Sequence, residues 1–370
     1  MIFKNCTFYN EFFEKEFGDI EIEDGIIKQI GILGDGRDMS GLTLIPGFID
    51  IHIHGCGGGD SSDADSESLD KITKELAKNG VTSFCPTTMT LPKDRLLDIV
   101  KTIAGYNSSA AKPAGINLEG PFIAMSKKGA QNAEYVRGGS VEEFDELMSA
   151  SHNMIKLITI APEAFDSDEF IKYVSSKCTV SIGHSAADAG ECQKAVDLGI
   201  KHATHLYNAM TPMTHRAAGI VGTVLDNENV NCELICDGGH ICPAVIRNTF
   251  KILGEDRAGV ISDSMRGAGL GEGEFELGGQ QVFVKPDGKY AVLADGTIAA
   301  SITNIHREFK NLLEFGIDFK TALKACTINP ARAIGEESRI GSIAVGKCAD
   351  LVFLDENLDV KEVYIDGISA

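Results

Sequence analysis

Five short stretches of this chain each end in a residue type that can bind a metal. The first is PGFIDIHIHG, residues 46–55. Side chains alternate faces along a strand, so His52 and His54 point the same way at the end of a very apolar strand. Asp50, two residues earlier, lies on the same face and can support them from below. Taken alone, such a pair is more often two partly exposed histidines than a metal site. Glu119 ends the run Asn-Leu-Glu, His184 ends Ser-Ile-Gly-His, His205 follows Ala-Thr, and Asp263 follows Val-Ile-Ser. Each alone could cap a helix or bond within a loop. Together they place ligand types at the ends of five predicted strands.

Imidazole and carboxylate without thiolate suit zinc, iron, cobalt or manganese. His52, His54 and Glu119 could hold one ion, and Glu119, His184 and His205 a second, with Glu119 bridging. Two such ions sit about 3.5–4 Å apart. Asp263 could touch a metal and is also the natural general base.

One fold brings five strand ends together. Strand-like runs recur at 48–53, 81–86, 115–118, 155–160, 180–183, 202–206, 232–236 and 259–262. Helical patterns separate most of them, most clearly at 69–78, 141–150, 169–175, 189–198 and 244–253. Eight alternating units over roughly 290 residues predict a (β/α)8 TIM-like barrel, for which ~250 residues is typical and whose active site lies at the C-terminal strand ends. A doubly wound sheet is the alternative. Both termini read as short strands broken by Asp24-Gly25 and Asp366-Gly367 turns. Neither end can bury a core alone. The expectation is therefore a small β-sandwich domain built from residues 1–46 and 341–370, with the barrel domain inserted at 47–340.

Composition narrows the function. A formal net charge of −20 over 370 residues disfavours nucleic acid and anionic membranes as partners. It also means that an anionic substrate needs a local basic pocket. The ten cysteines form no CxxC pair and read as reduced, mostly buried thiols. No leader pattern or spanning segment is evident, so a soluble cytoplasmic protein is expected. Two phosphate-loop look-alikes fail. Residues 341–347 spell GxxxxGK, but Cys348 stands where Ser or Thr is required. The glycine run from Gly267 breaks at Glu272.

More specific marks are LEGPF (118–122), GHS (183–185), THLYNAM (204–210), HR (215–216) followed by GIVG (219–222), CDGGH (236–240), LADGTIAAS (293–301), NPA (329–331) and GKCADLV (346–352). With these the chain resembles, nearly end to end, the N-acetylglucosamine-6-phosphate deacetylases of the amidohydrolase superfamily. The resemblance implies a barrel with a small β domain and an amino-sugar phosphate as substrate. It implies Glu119, His184 and His205 as the common metal triad, His52 and His54 as an optional second site, and Asp263 as the catalytic acid/base. It further implies that Asn208, Ala209, Arg216 and His240 hold the sugar phosphate, with Arg216 reaching in from a neighbouring subunit of a homodimer.

The chain departs from that pattern at three places. Gln131 stands where many members carry a histidine thought to polarise the acetyl carbonyl; its amide N–H could still donate there. Ser264 follows the aspartate where Ala is usual. Ala217-Ala218 follows Arg216 where Glu-Pro is common, which bears on the phosphate loop. The implied reaction is attack on the acetyl carbonyl by a water that one or two divalent transition metals acidify. Asp263 takes the proton and passes it to the leaving amine. The rivals are the galactosamine epimer, another amidohydrolase reaction (cyclic amide opening or deamination), and a barrel without catalysis. Cyclic amidases and deaminases often bridge their metals with a lysine, whereas Glu119 holds the corresponding place here.

Overall fold

The Phe48–Ile53 strand is buried along its whole length and pairs in parallel with Val81–Pro86. The computed structural model describes residues 1–286 and 288–370. A second parallel sheet joins Ile116–Glu119, Ile155–Ile160, Thr179–Ile182, His202–Ala203, Asn231–Leu234 and Ala258–Val260, in chain order. A parallel bridge between Thr87 and Asn117 links the two sheets. At the far edge the Asp263 backbone N–H donates to the His52 carbonyl at 2.9 Å, which returns the end of the last strand to the first. The result is a mixed α/β protein whose eight expected strands are present, with ends shifted by up to a few residues.

Parallel neighbours need crossover connections, and helices supply them. Ser66–Lys78 buries Leu69, Ile72, Leu76 and Ala77, an apolar stripe at helical spacing, and Asp65 caps its first turn by accepting from the Ser68 N–H. Ala189–Leu198 starts on a reciprocal Asp188–Glu191 capping box and stops at Gly199, whose φ is +130°. Lys93–Gly105, Gly219–Asp226 and Ile305–Glu314 are further helices. The sequence reading did not anticipate an antiparallel sheet, Gly273–Leu277, Gln280–Val284, Tyr290–Val292 and Ile298–Ser301. Its short, glycine-punctuated strands carry little periodic signal.

Both termini meet in one eight-stranded sheet. Its order runs Ile368–Ser369, Val360–Ile365, Leu351–Leu354, Thr43–Pro46, Ile2–Tyr9, Lys15–Glu23, Ile26–Gly31, with Arg37–Asp38 also on Ile2–Tyr9. This sheet has its own apolar cluster, in which Phe3 packs edge-on to Phe353 at 5.1 Å and to Tyr364 at 4.7 Å. The chain passes from this sheet into the Phe48–Ile53 strand through Gly47. A Cβ there would lie 2.1 Å from Thr82 Oγ1, so only glycine allows the passage.

Lys347, in the GxxxxGK look-alike, donates to the Glu337 and Ile340 carbonyls and to Ser342 Oγ. Its ammonium ties down the local backbone and is not held out for a phosphate. All ten cysteines are unbonded, eight of them buried. No helix among the described residues is long and apolar enough to cross a membrane.

Candidate metal centre and active site

Four imidazoles and two carboxylates meet where the parallel strands end. His184 Nε2 lies 3.1 Å from Glu119 Oε1, His205 Nε2 lies 3.0 Å from the same oxygen, and the two nitrogens are 3.1 Å apart. His54 Nε2 is 3.4 Å from Glu119 Oε2 and 3.3 Å from Asp263 Oδ1. His52 Nε2 is 3.5 Å from Glu119 Oε1 and 3.6 Å from Asp263 Oδ1. Two groups that could each hold a metal ion result, His52–His54–Glu119 and Glu119–His184–His205.

These sets fit a metal. With bonds of about 2.0–2.1 Å, ligand atoms around a tetrahedral ion stand roughly 3.3 Å apart. The three edges of the Glu119–His184–His205 triangle come close to that. The lone pairs also face the right way. His184 Nδ1 lies 2.8 Å from the Lys127 carbonyl, to which it can only donate, so its Nε2 is the free lone pair. His52 Nε2 is buried without a hydrogen-bond partner.

The backbone is bent to achieve this. His184, His205 and Asp263 take φ of +46°, +28° and +47°. Such left-handed conformations cost side-chain-bearing residues about 1–3 kcal/mol each and persist where the surroundings enforce them. Asp50 supplies part of that enforcement. Its carboxylate accepts from the His52 and Ser262 N–H groups and from Ser262 Oγ, bracing the strand below the site as expected.

Charges in the site are strongly coupled. Burial alone would lower His52, but the Glu119 and Glu233 carboxylates outweigh it and hold the imidazole well above its ordinary range. His54 is opposed by burial in the same way and is carried to about 9 by Asp263 and Glu119. Burial would raise Glu119; His52 and His184 hold it well below the usual carboxylate range. Burial likewise opposes the lowering of Asp263 by His54 and His52, which leaves Asp263 ionised at neutral pH.

A cavity of about 410 Å³ opens over the ligands. Gln131, Asn208, Ala209 and His240 all line it, as does Asp263. Arg216 does not; it is exposed in the loop before Gly219–Asp226. Gln131 is held at both ends of its amide. Its oxygen accepts from the Thr90 N–H at 2.6 Å, which fixes the amide orientation, and its Nε2 donates to Glu119 Oε2 at 2.7 Å. One amide N–H thus braces the Glu119 carboxylate.

Sequence reasoning missed several residues. Asp237 accepts from His240 at Nδ1, 2.7 Å, and from two backbone N–H groups, so it sets the imidazole that faces the cavity. Lys127 is the one lysine or arginine among the described residues lining the cavity. Thr297 and residues 298–300 of the unanticipated antiparallel sheet form another wall. Glu233 contacts His52. A carboxylate alone in an apolar strand, Asn-Cys-Glu-Leu, was the available signal for the last.

Comparison with known proteins agrees with this geometry. The Amidohydrolase family pattern matches residues 43–369. An N-acetylglucosamine-6-phosphate deacetylase of Bacillus subtilis (strain 168) is 38% identical over 326 residues, covering 86% of this chain and 82% of that protein. An N-acetylgalactosamine-6-phosphate deacetylase of Escherichia coli O157:H7 is 32% identical over 356 residues, covering 94% and 93%. The crystal structure of N-acetylglucosamine-6-phosphate deacetylase from Pasteurella multocida superposes with a TM-score of 0.92 at 30% identity, covering 100% of this chain and 99% of that one. The chain belongs to the amidohydrolase family, in the group of amino-sugar-6-phosphate deacetylases that these relatives represent.

Proposed function

We propose that the chain hydrolyses the N-acetyl group of N-acetylglucosamine 6-phosphate, releasing acetate and glucosamine 6-phosphate in amino-sugar catabolism. The observation that carries this reading is the convergence of His52, His54, Glu119, His184, His205 and Asp263 on one cavity, in a chain whose relatives are named for that reaction. The relative named for the galactosamine epimer supports that substrate as the second reading.

In this reading the parallel strands wall a (β/α)8 barrel over 47–340, and residues 1–46 and 341–370 make a small β-sandwich. Glu119, His184 and His205 hold one divalent transition metal (zinc, iron, cobalt or manganese), and His52, His54 and Glu119 hold a second. Bound there, such an ion acidifies water and polarises an amide carbonyl. Asp263, ionised beside His54, accepts the proton of the attacking water. It then returns that proton to the amine nitrogen as the C–N bond breaks. Gln131 steadies Glu119 and offers its second N–H to the acetyl oxygen. His240, held by Asp237, binds the phosphate together with Asn208 and Ala209. Lys127 is the single strongly basic group among the described residues of the cavity wall, a small counterweight in a chain of net charge −20. Arg216 supplies the further charge from a neighbouring subunit of a cytoplasmic homodimer.

The test is acetate release from N-acetylglucosamine 6-phosphate by chelated protein, with and without added divalent metal, beside the galactosamine epimer. Metal-dependent release is expected, faster with the gluco substrate. No release from either epimer by folded, metal-loaded protein would rule the reading out.

A further inference from the structure

Glu233 lies within the Asn231–Leu234 strand and is fully buried. Its neighbours Cys232 and Leu234 join the main apolar cluster, so strand alternation puts the carboxylate on the opposite face. A buried carboxylate is costly unless its lone pairs are used. One oxygen, Oε2, takes two donors: His52 Nδ1 at 3.0 Å and the His205 backbone N–H at 3.1 Å. The other, Oε1, has no hydrogen-bond partner and lies 3.8 Å from His202 Nδ1.

We propose that Glu233 is the positioning residue of the metal centre, linking its two halves through one oxygen. This rests on the metal-centre reading above. His52 can offer Nε2 as a ligand only while its proton stays on Nδ1, and Glu233 is the acceptor that keeps it there. Without Glu233 the imidazole would be free to move its proton to Nε2, closing that ligand position. The same oxygen holds the amide of His205 in the left-handed backbone, φ +28°, from which its ring reaches Glu119. Glu233 therefore acts on the His52–His54 half through a side chain and on the His184–His205 half through the main chain.

The experiment compares wild type, Glu233→Gln and Glu233→Ala. Metal content is measured after zinc reconstitution, zinc affinity by competition with a chromophoric chelator, and the His52 Nδ1–H by NMR of the zinc form. In Glu233→Gln the amide oxygen can occupy the place of Oε2 and accept both N–H groups, but without the charge that makes His52 a stronger ligand. Glu233→Ala is expected to bind the His52-side ion about 100-fold more weakly and to lose the slow-exchanging Nδ1–H signal. Glu233→Gln is expected to keep that signal and to weaken the ion about tenfold, within the usual range for partners of metal ligands. If Glu233→Ala does not fold, Glu233→Gln decides. Affinities equal to wild type in the folded variants would overturn the inference. Failure of wild type itself to take up zinc would instead overturn the metal-centre reading.

Discussion

His184 Nε2 and His205 Nε2 lie 3.1 Å apart, and both are within hydrogen-bonding distance of the same oxygen, Glu119 Oε1. Two imidazole lone pairs and a carboxylate oxygen so close repel unless positive charge lies among them. A divalent cation among them would supply that charge. Metal should therefore stabilise the fold by mass action, by about 2.7 kcal/mol when free metal is 100 times its Kd. Denaturation midpoints followed against zinc concentration check this. Glu119→Gln, which removes the shared anion, should lose most of that dependence. A Glu119→Gln protein stabilised as strongly as wild type would contradict the assignment.

Asp263 faces the cavity with its Oδ1 3.3 Å from His54 Nε2. Asparagine preserves its size and one oxygen but cannot carry a proton from water to amine. Asp263→Asn should keep its metal and lower kcat by about 10²–10⁴, with a far smaller change in KM. Metal analysis beside steady-state kinetics separates the two effects. Retention of most of the activity by a metal-loaded variant would remove Asp263 from the proton path.

Arg216 is exposed and does not line the cavity of its own chain. Loss of a charged contact to substrate phosphate, about 1.5–3 kcal/mol, should raise KM some ten- to hundredfold in Arg216→Ala while kcat changes little. Contribution from a second subunit makes a sharper demand. At substrate concentrations well below the variant's KM, Arg216→Ala mixed with Asp263→Asn should regain activity, because half of randomly formed dimers then contain one intact site, about a quarter of all sites. Activity that stays at the sum of the two separate variants would show that Arg216 does not act across an interface.

Much of this site was legible because it depends on local periodicity. His52 and His54 share a face by strand alternation, and Glu119, His184, His205 and Asp263 follow short apolar runs that read as strands. What periodicity does not carry is partnership between distant segments. Glu233 is 181 residues from His52, and no local pattern pairs them. The left-handed backbone at His184, His205 and Asp263 was equally hidden. Positive φ is uncommon for any residue with a side chain, and tertiary hydrogen bonds impose it here. The antiparallel sheet over 273–301 escaped for the opposite reason: its strands are three to five residues long and alternate poorly.

Glu308, on the Ile305–Glu314 helix, is fully buried behind the site. Its Oε2 accepts from the Cys236 N–H at 2.8 Å, and its Oε1 has no hydrogen-bond partner. Burial, and then the nearby Asp237 carboxylate, push it well above the ordinary carboxylate range. The folded protein thus keeps a proton that the unfolded chain releases above a pH of about 4.3. The stability this gives is complete below that unfolded value. It declines as pH rises toward and through the folded value, by up to about 1.4 kcal/mol per pH unit. Glu308→Gln can accept the same Cys236 N–H but has no proton to lose. It should become more stable than wild type by a margin that widens between pH 5 and pH 9. Urea unfolding of both proteins across that range, at constant free metal, measures the margin. Parallel stability curves would show that Glu308 is ionised in the folded protein.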